Sequence, residues 1–394
     1  MKQRRAILFA GAAIDFSNAS QVRAKLQSAA DSVALALVKE PRGMAAAQLQ
    51  AIAERQFSAL MRTETGTDAS ISVSVAGKTI QVSARIAMPT SFLKIVHQDK
   101  VSIGVNAVAA YGQPKLQIAL VLDNTGSVGQ MGKMAALKQA TNDLLDKLST
   151  LNAAPGDVKV SLVPFNTQVR VATSYSSASW LRWGVKLENP NIGATIANGP
   201  TSATWGGCLS DRDMDYDISS EPPRGGSSNH VAANCQYGSL AQTMPLSSNL
   251  ETVRSVVNAM TPTGATNVTI GLSTGMATLR ADSPFGDASS SDPEVQKFVI
   301  LLTDGNNTQN RFGGNGSEGN TYTVDIDERL RQACNHARAT RVQVFTVRVI
   351  AGNESLLRAC ATEPGMYYSA ASAGEIAPAF AKILNQIVMP RLAM

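Results

Sequence analysis

The sequence predicts a doubly wound, Rossmann-like α/β domain over residues 114–394, preceded by a smaller α+β region whose first element is a long helix. Three observations carry this prediction. From Leu116 to Leu122 the chain reads LQIALVL, nearly all apolar, as a strand buried on both faces of a parallel sheet does. After Pro114, strand-like and helix-like segments alternate, which is the pattern of a mostly parallel sheet covered by helices. Before Gly112-Gln113-Pro114 the order differs, with helical periodicity first and period-two alternation after it.

Taken in order, residues 1–14 start with Met1-Lys2-Gln3-Arg4-Arg5 and run apolar from Ala6 to Ile14. A basic flank and a short apolar run read as a signal-like segment or a truncated membrane anchor. The run is shorter than the roughly 20 apolar residues of a spanning helix. Either the natural start lies upstream, or the helix continues from Asp15 through Leu35 as a stalk. An ordinary amphipathic helix is the bland alternative.

Residues 15–113 form the α+β region. Val22, Leu26, Ala29, Val33, Ala36 and Leu37 recur mostly at three and four, predicting a helix from Ser17 to Lys39. A second helix, Ala45 to Met61, follows Pro41-Arg42-Gly43. Ile71, Val73 and Val75 mirror Ile80, Val82 and Ala84 about Ala76-Gly77-Lys78, predicting a β-hairpin, and Val101 to Ala109 adds a strand.

In the α/β domain the predicted run is strand Leu116–Leu122, helix Gly129–Leu148, strand Val158–Val163, helices Ser248–Met260 and Asn267–Leu279, and strand Phe298–Leu302. Helix Asp325–Thr340, strand Val342–Val349 and a last helix from about Ala373 to Ile387 complete it. An insertion over 175–246, rich in Ser, Gly, Asn and Pro, holds all three Trp residues and breaks the alternation; such length without periodicity is functional or an insert. A smaller polar insert, Gly305 to Thr323, follows Asp304.

The chemistry concentrates where the first apolar strand ends, at Asp123, Thr125 and Ser127. A carboxylate and two hydroxyls at alternate positions are the makings of a divalent-metal site. Thr266, in the loop that opens a predicted helix, and Asp304, at the end of FVILLTD, bring two more oxygen ligands to the same sheet edge, because ligands of such sheets bind beyond the carboxyl ends of the strands. Hard oxygen donors select Mg2+ first, with Mn2+ or Ca2+ as alternatives.

Other chemistries fit less well. In the loop Gly126 to Lys133, a phosphate-binding pattern needs Gly where Ser127 stands and Ser or Thr where Met134 stands. A hydrolase elbow needs Gly where Thr125 stands. His97, His230 and His336 all lie away from predicted strand ends, so no general base is in view and no catalysis is expected. Asp211, Asp213, Asp215 and Asp217 alternate like a calcium loop, but Tyr216 and Pro222 stand where that loop needs Gly and Glu. A net charge of +5 with scattered Lys and Arg gives no basic stripe for nucleic acid. Cys208, Cys235, Cys334 and Cys360 contain no C-x-x-C pair, which argues against zinc. Two disulfides paired by neighbourhood, Cys208 with Cys235 and Cys334 with Cys360, suit an exported chain, and four buried thiols suit a cytosolic one.

Asp-x-Thr-x-Ser with a later Thr and Asp resembles the metal-ion-dependent adhesion site of von Willebrand factor A domains, with Thr125 where that family usually has Ser. Gly11 to Asp15 and Lys25 to Leu35 resemble the amino-terminal segment of TadE/TadG-like proteins of the tight-adherence (Flp) pilus system. Trp205-Gly206-Gly207-Cys208, Cys334, Cys360-Ala361-Thr362 and the Phe380 to Leu392 ending are similar to TadG-like members that carry an A domain. The resemblance implies a bacterial protein anchored in the inner membrane by its N-terminus and facing the periplasm, or displayed at the cell surface. Its metal would meet a carboxylate of a protein partner, a pilus or Tad secretion component. The alternatives are an A-domain subunit of a cytosolic ATP-driven or metal-inserting complex, or a matrix adhesin unrelated to pili.

Overall fold

The computed structural model describes residues 2–38, 40, 44–61, 68–76, 79–110, 115–151, 156–238, 240–293 and 295–388. Two units emerge, one within residues 1–113 and the other within residues 114–388. The expected Pro41-Arg42-Gly43 break, the Gly77-Lys78 turn and the Gly112-Gln113-Pro114 boundary lie outside the described residues, as do the side chains of residues 1–12.

In the first unit, α1 (Lys2–Leu37) runs unbroken through Asp15. Its buried stripe, Leu26, Ala29, Ala30, Val33, Ala34 and Leu37, follows the three-and-four spacing of one helix face. That stripe packs with Leu49, Ala53 and Phe57 of α2 (Ala46–Leu60) and with β-sheet side chains into one core. The sheet is an antiparallel meander of β1 (Asp68–Ala76), β2 (Thr79–Pro89) and β3 (Lys100–Ala110). Pairing of Ala76 with Thr79 leaves a two-residue connection, as the hairpin pattern predicts. Asp15 is buried and accepts the backbone N–H groups of Ser91, Phe92 and Leu93 at 3.0, 2.9 and 2.8 Å, capping the 3-10 turn Leu93–Val96. Burial pushes its carboxyl up, but those three donors hold it below the ordinary range. Among the described residues no helix is long and apolar enough to cross a membrane.

In the second unit, the elements that follow in chain order are β4 (Lys115–Asp123), α3 (Lys133–Leu151), β5 (Val158–Phe165), β6 (Val169–Arg170), β7 (Leu181–Arg182), α4 (Ala194–Ala197), β8 (Cys208–Ser210), β9 (His230–Ala232), β10 (Met244–Ser247), α5 (Leu250–Ala259), α6 (Val268–Thr278), β11 (Val295–Thr303), α7 (Thr323–Ala339), β12 (Gln343–Val349), α8 (Glu354–Cys360), β13 (Tyr367–Ala370) and α9 (Ile376–Val388). The centre of the sheet, in the order β13-β12-β11-β4-β5, is parallel throughout. From β4 the chain builds outward first to β5 and later, on the other side, through β11, β12 and β13. The strand order therefore reverses between β4 and β11, and a crevice opens beyond their carboxyl ends.

The insert does more than interrupt. Together with β6 just before it, its short strands extend the sheet past β5, with β6, β8 and β9 antiparallel in turn and β7 parallel to β9, while β10 pairs antiparallel with β5. Both disulfides form, Cys208–Cys235 and Cys334–Cys360. The first staples the start of β8 to the chain just beyond β9, and the second ties α7 to α8.

The helix expected from Gly129 begins at Lys133 instead. Met131 and Gly132 take φ of 52° and 71°, left-handed values that a right-handed helix cannot contain, so the chain makes a 3-10 turn over Gly126–Gly129 and restarts. The elements α8 and β13 have no counterpart in the sequence prediction, since both are short and lie between longer periodic runs.

Candidate metal site

Strand β4 is buried from Leu116 to Asp123, so its last side chain arrives at the crevice with no exposure at all. Backbone hydrogen bonds then knit the motif to the Gly264 loop. Gly126 N–H donates to the Gly264 carbonyl at 2.9 Å, and Thr263 N–H donates to the Asn124 carbonyl at 2.8 Å. Gly264 has φ of 88°, and a Cβ there would stand 2.5 Å from the Tyr237 ring, so only glycine fits. Asn267 caps α6 by accepting Ile270 N–H, which fixes where Thr266 sits.

The five residues proposed from sequence come together at this edge. Asp123 Oδ1 accepts the Thr125 N–H at 2.8 Å, and its Oδ2 accepts the Thr303 hydroxyl at 2.6 Å and the Asp304 N–H at 3.4 Å. The Thr125 and Ser127 hydroxyls share a hydrogen bond at 3.0 Å, and Ser127 donates to Asp304 Oδ1 at 2.6 Å. Thr266 joins from the side: a Cβ built on Gly305 would lie 3.4 Å from the Thr266 hydroxyl and 3.6 Å from that of Ser127. Burial first, and then the neighbouring Asp304 charge, push the Asp123 carboxyl up to about 6, against hydrogen bonds from Thr125 and Thr303 that pull it down.

Two participants were not foreseen. Thr303 reads in sequence as the last residue of a strand, yet its hydroxyl holds Asp123. Lys133 reads in sequence only as the lysine of the rejected phosphate-loop pattern, yet its ammonium is buried and ion-paired with Asp304 Oδ2. Its sequence signal is that place, ten residues after Asp123 at the restart of the helix.

The inserts frame this edge as one body. Arg311 N–H donates to the Asp211 carboxylate at 3.0 Å, and its guanidinium reaches the Asp211 carbonyl at 3.0 Å and Asp213 at 2.8 Å. Asp211 also takes both hydrogen-bonding contacts of the Asn267 amide, at 2.8 and 3.0 Å. Asp215 and Asp217 pair with Arg329. Each of the four alternating acids thus has a cation or amide partner within the protein, which makes the run a structural network. The histidines are engaged elsewhere. His230 packs edge-on against Trp180 and Phe285, and burial together with Arg212 holds it down at about 3. His336 hydrogen-bonds Ser220, and His97 caps a 3-10 turn.

Among the described residues no group of three or more His, Cys, Asp or Glu gathers as a metal cluster. A cation at the crevice would therefore draw on two carboxylates and three hydroxyls. That donor set is all oxygen and fits a hard divalent ion. The two buried carboxylates face one ammonium, so a negative charge is left to balance.

Residues 225–382 match the sequence model of the von Willebrand factor type A domain, and residues 6–38 match that of the putative Flp pilus-assembly TadE/G-like segment. The first match takes in Thr266 and Asp304 and begins after Ser127; the strand that precedes Ser127, β4, pairs with β11 inside the match. No curated protein matches the chain. Among solved structures, the chain is similar to the pilus adhesin SpaC of Lactobacillus rhamnosus GG, with 14% identity and a TM-score of 0.41 over 82% of this chain and 34% of that one. The von Willebrand domain of the type V pili tip protein Mfa5 of Porphyromonas gingivalis is similar at 10% identity and a TM-score of 0.41, over 72% and 98%. Proximal thread matrix protein 1 of the mussel byssus is similar at 16% identity and a TM-score of 0.39, over 71% and 48%. The chain spans about half the length of the mussel protein and about a third of SpaC. By the two sequence matches, the chain joins a putative Flp pilus-assembly TadE/G-like amino-terminal segment to a von Willebrand factor type A domain.

Proposed function

We propose that the A domain holds a divalent cation, Mg2+ before Mn2+ or Ca2+, through Asp123, Thr125, Ser127, Thr266 and Asp304, and uses it to take up a carboxylate of a protein partner. The observation that carries this reading is the convergence of two buried carboxylates and three hydroxyls at the strand-order reversal between β4 and β11. When bound, the ion would supply a fixed positive charge for recognition. The protein's own residues set the site: Thr303 and the Thr125 N–H orient Asp123, and Ser127 orients Asp304.

The TadE/G-like segment suggests the setting, an envelope protein of pilus assembly or adhesion, held to the bacterial inner membrane through its N-terminus or displayed at the surface. The partner is then a pilus or Tad secretion component. Two disulfides among the described residues favour an extracytoplasmic site over the cytosolic-complex alternative. Recognition is favoured over turnover because the histidines are committed to the core and to capping.

Calorimetric titration of the full chain with MgCl2 tests the ion, with Asp123→Ala as the control. Saturable heat in the wild type and none in the variant is expected; equal binding by both refutes the assignment. Pull-down of envelope proteins with Mg2+ and with EDTA tests the partner, whose retention should require the ion.

A further inference from the structure

Lys133 is the residue at this edge that brings no oxygen, and it is among the most deeply placed. Its side chain is 4% exposed and that of Asp304 is 0%. It is the first residue of α3, where the positive end of the helix dipole disfavours a cation, and a buried ammonium is costly unless paired. Asp304 Oδ2 supplies the partner, and Ser127 occupies Asp304 Oδ1. With Ser127 on one oxygen and Lys133 on the other, the ammonium holds one of the lone-pair positions through which Asp304 would reach a cation. The lysine can leave: its arm has four flexible carbons, a Cβ at the preceding Gly132 would meet nothing within 4 Å, and Met131 before that is 65% exposed.

We propose that Lys133 is a tethered counter-cation that holds Asp304 while the divalent ion is away and must be displaced for the ion to bind. This rests on the metal reading above and adds its regulation. Each binding event exchanges one ammonium for one metal ion. Three consequences follow from charge alone. The ion binds more weakly than two carboxylates would otherwise allow. The metal-free domain keeps its buried carboxylate paired and stays folded. A monovalent ion gains nothing over a single charge already attached to the chain, so the site favours divalent ions.

The test is titration of the full-length protein with MgCl2 and MnCl2 as wild type, Lys133→Met, Lys133→Arg and Asp123→Ala, with melting recorded in EDTA. Lys133→Met should bind at least about ten-fold tighter than wild type, because a competing charge is gone. It should also melt earlier in EDTA and recover with Mg2+, whereas Lys133→Arg should bind no tighter than wild type. Unchanged or weaker affinity in a folded Lys133→Met overturns the exchange and leaves the metal reading standing. Wild type and Lys133→Met both indistinguishable from Asp123→Ala would remove the metal reading, and the exchange with it. Should Lys133→Met fail to fold, the wild type decides: amine acetylation at Lys133, mapped by mass spectrometry, should rise on saturation with Mg2+, and equal labelling with Mg2+ and EDTA overturns the proposal.

Discussion

The two edges of one sheet treat charge in opposite ways. At the amino-terminal edge of β4, β5 and β11, Lys115 pairs with Asp292 at 2.8 Å and Lys159 with Asp287 at 2.9 Å, all four side chains partly exposed. At the carboxyl edge of the same strands, Lys133 and Asp304 pair in nearly complete burial beside a second buried acid, Asp123. Exposed pairs are worth about 0–1 kcal/mol and decorate a surface cheaply. A buried pair offers no more stability than apolar residues of the same shape, because desolvation cancels its attraction. Charge kept at the dry edge therefore calls for a reason other than folding, and the proposed ion recognition would supply one.

The sharpest break in that contrast is Asp304→Ala. It removes the partner of the buried Lys133 ammonium, a break that costs about 3–5 kcal/mol while the lysine keeps its place and less once its arm swings out to water. The midpoint of urea unfolding should fall, and a loss below about 1 kcal/mol would show that the lysine escapes to water or that the carboxyl edge is as wet as the amino one. Next is the staple. Replacing Cys208 and Cys235 together by serine frees a loop with a separation of 27 residues and should cost roughly 3.5 kcal/mol by loop entropy. The Lys115–Asp292 and Lys159–Asp287 pairs of the amino edge involve neither cysteine, so they should survive in the variant, as a crystal structure or amide exchange would show.

A pH experiment separates the edges further. Burial first, and then the Asp217 charge, push the Asp211 carboxyl from 3.8 up to about 6. A raised carboxyl favours the folded state when protonated, so its contribution is full below about 4 and is lost as pH rises through 6. The stability difference between wild type and Asp211→Asn should change by about 2 kcal/mol across that window. A difference independent of pH would mean that Asp211 stays ionised in the fold.

The carboxyl edge was legible in sequence only where the signal was local. Asp123 ends an unbroken apolar run, Asp304 ends another, and Thr266 precedes a capped helix; each can be seen within about ten residues. Lys133 cannot, because a lysine at a helix start looks the same whether it faces water or a carboxylate 171 residues away. Nor could β6, β7, β8, β9 and β10, which are two to four residues each, too short for a period. The left-handed pair Met131 and Gly132 hid the true start of α3 for a related reason: only the glycine announces it. In the first unit, by contrast, α1, α2 and the meander were readable, since their faces alternate over nine residues or more.

The smallest effect belongs to Lys159→Ala at the amino edge, and it is the control for all the others. The ammonium reaches both Asp287 oxygens at 2.9 Å and the Ser289 hydroxyl at 3.1 Å. The Ser289 hydrogen bond first, and Lys159 after it, hold Asp287 down at about 2. A lowered carboxyl contributes stability above its unfolded value near 3.8 and loses it as pH falls through 2, the reverse of Asp211. Because both partners are partly exposed, removal of the lysine should cost under about 1 kcal/mol at neutral pH and less in high salt. A loss of about 3 kcal/mol that salt does not screen would mean that this edge, too, holds its charges dry, and the contrast between the edges would then no longer support the Asp123–Asp304 crevice as the proposed site of ion binding.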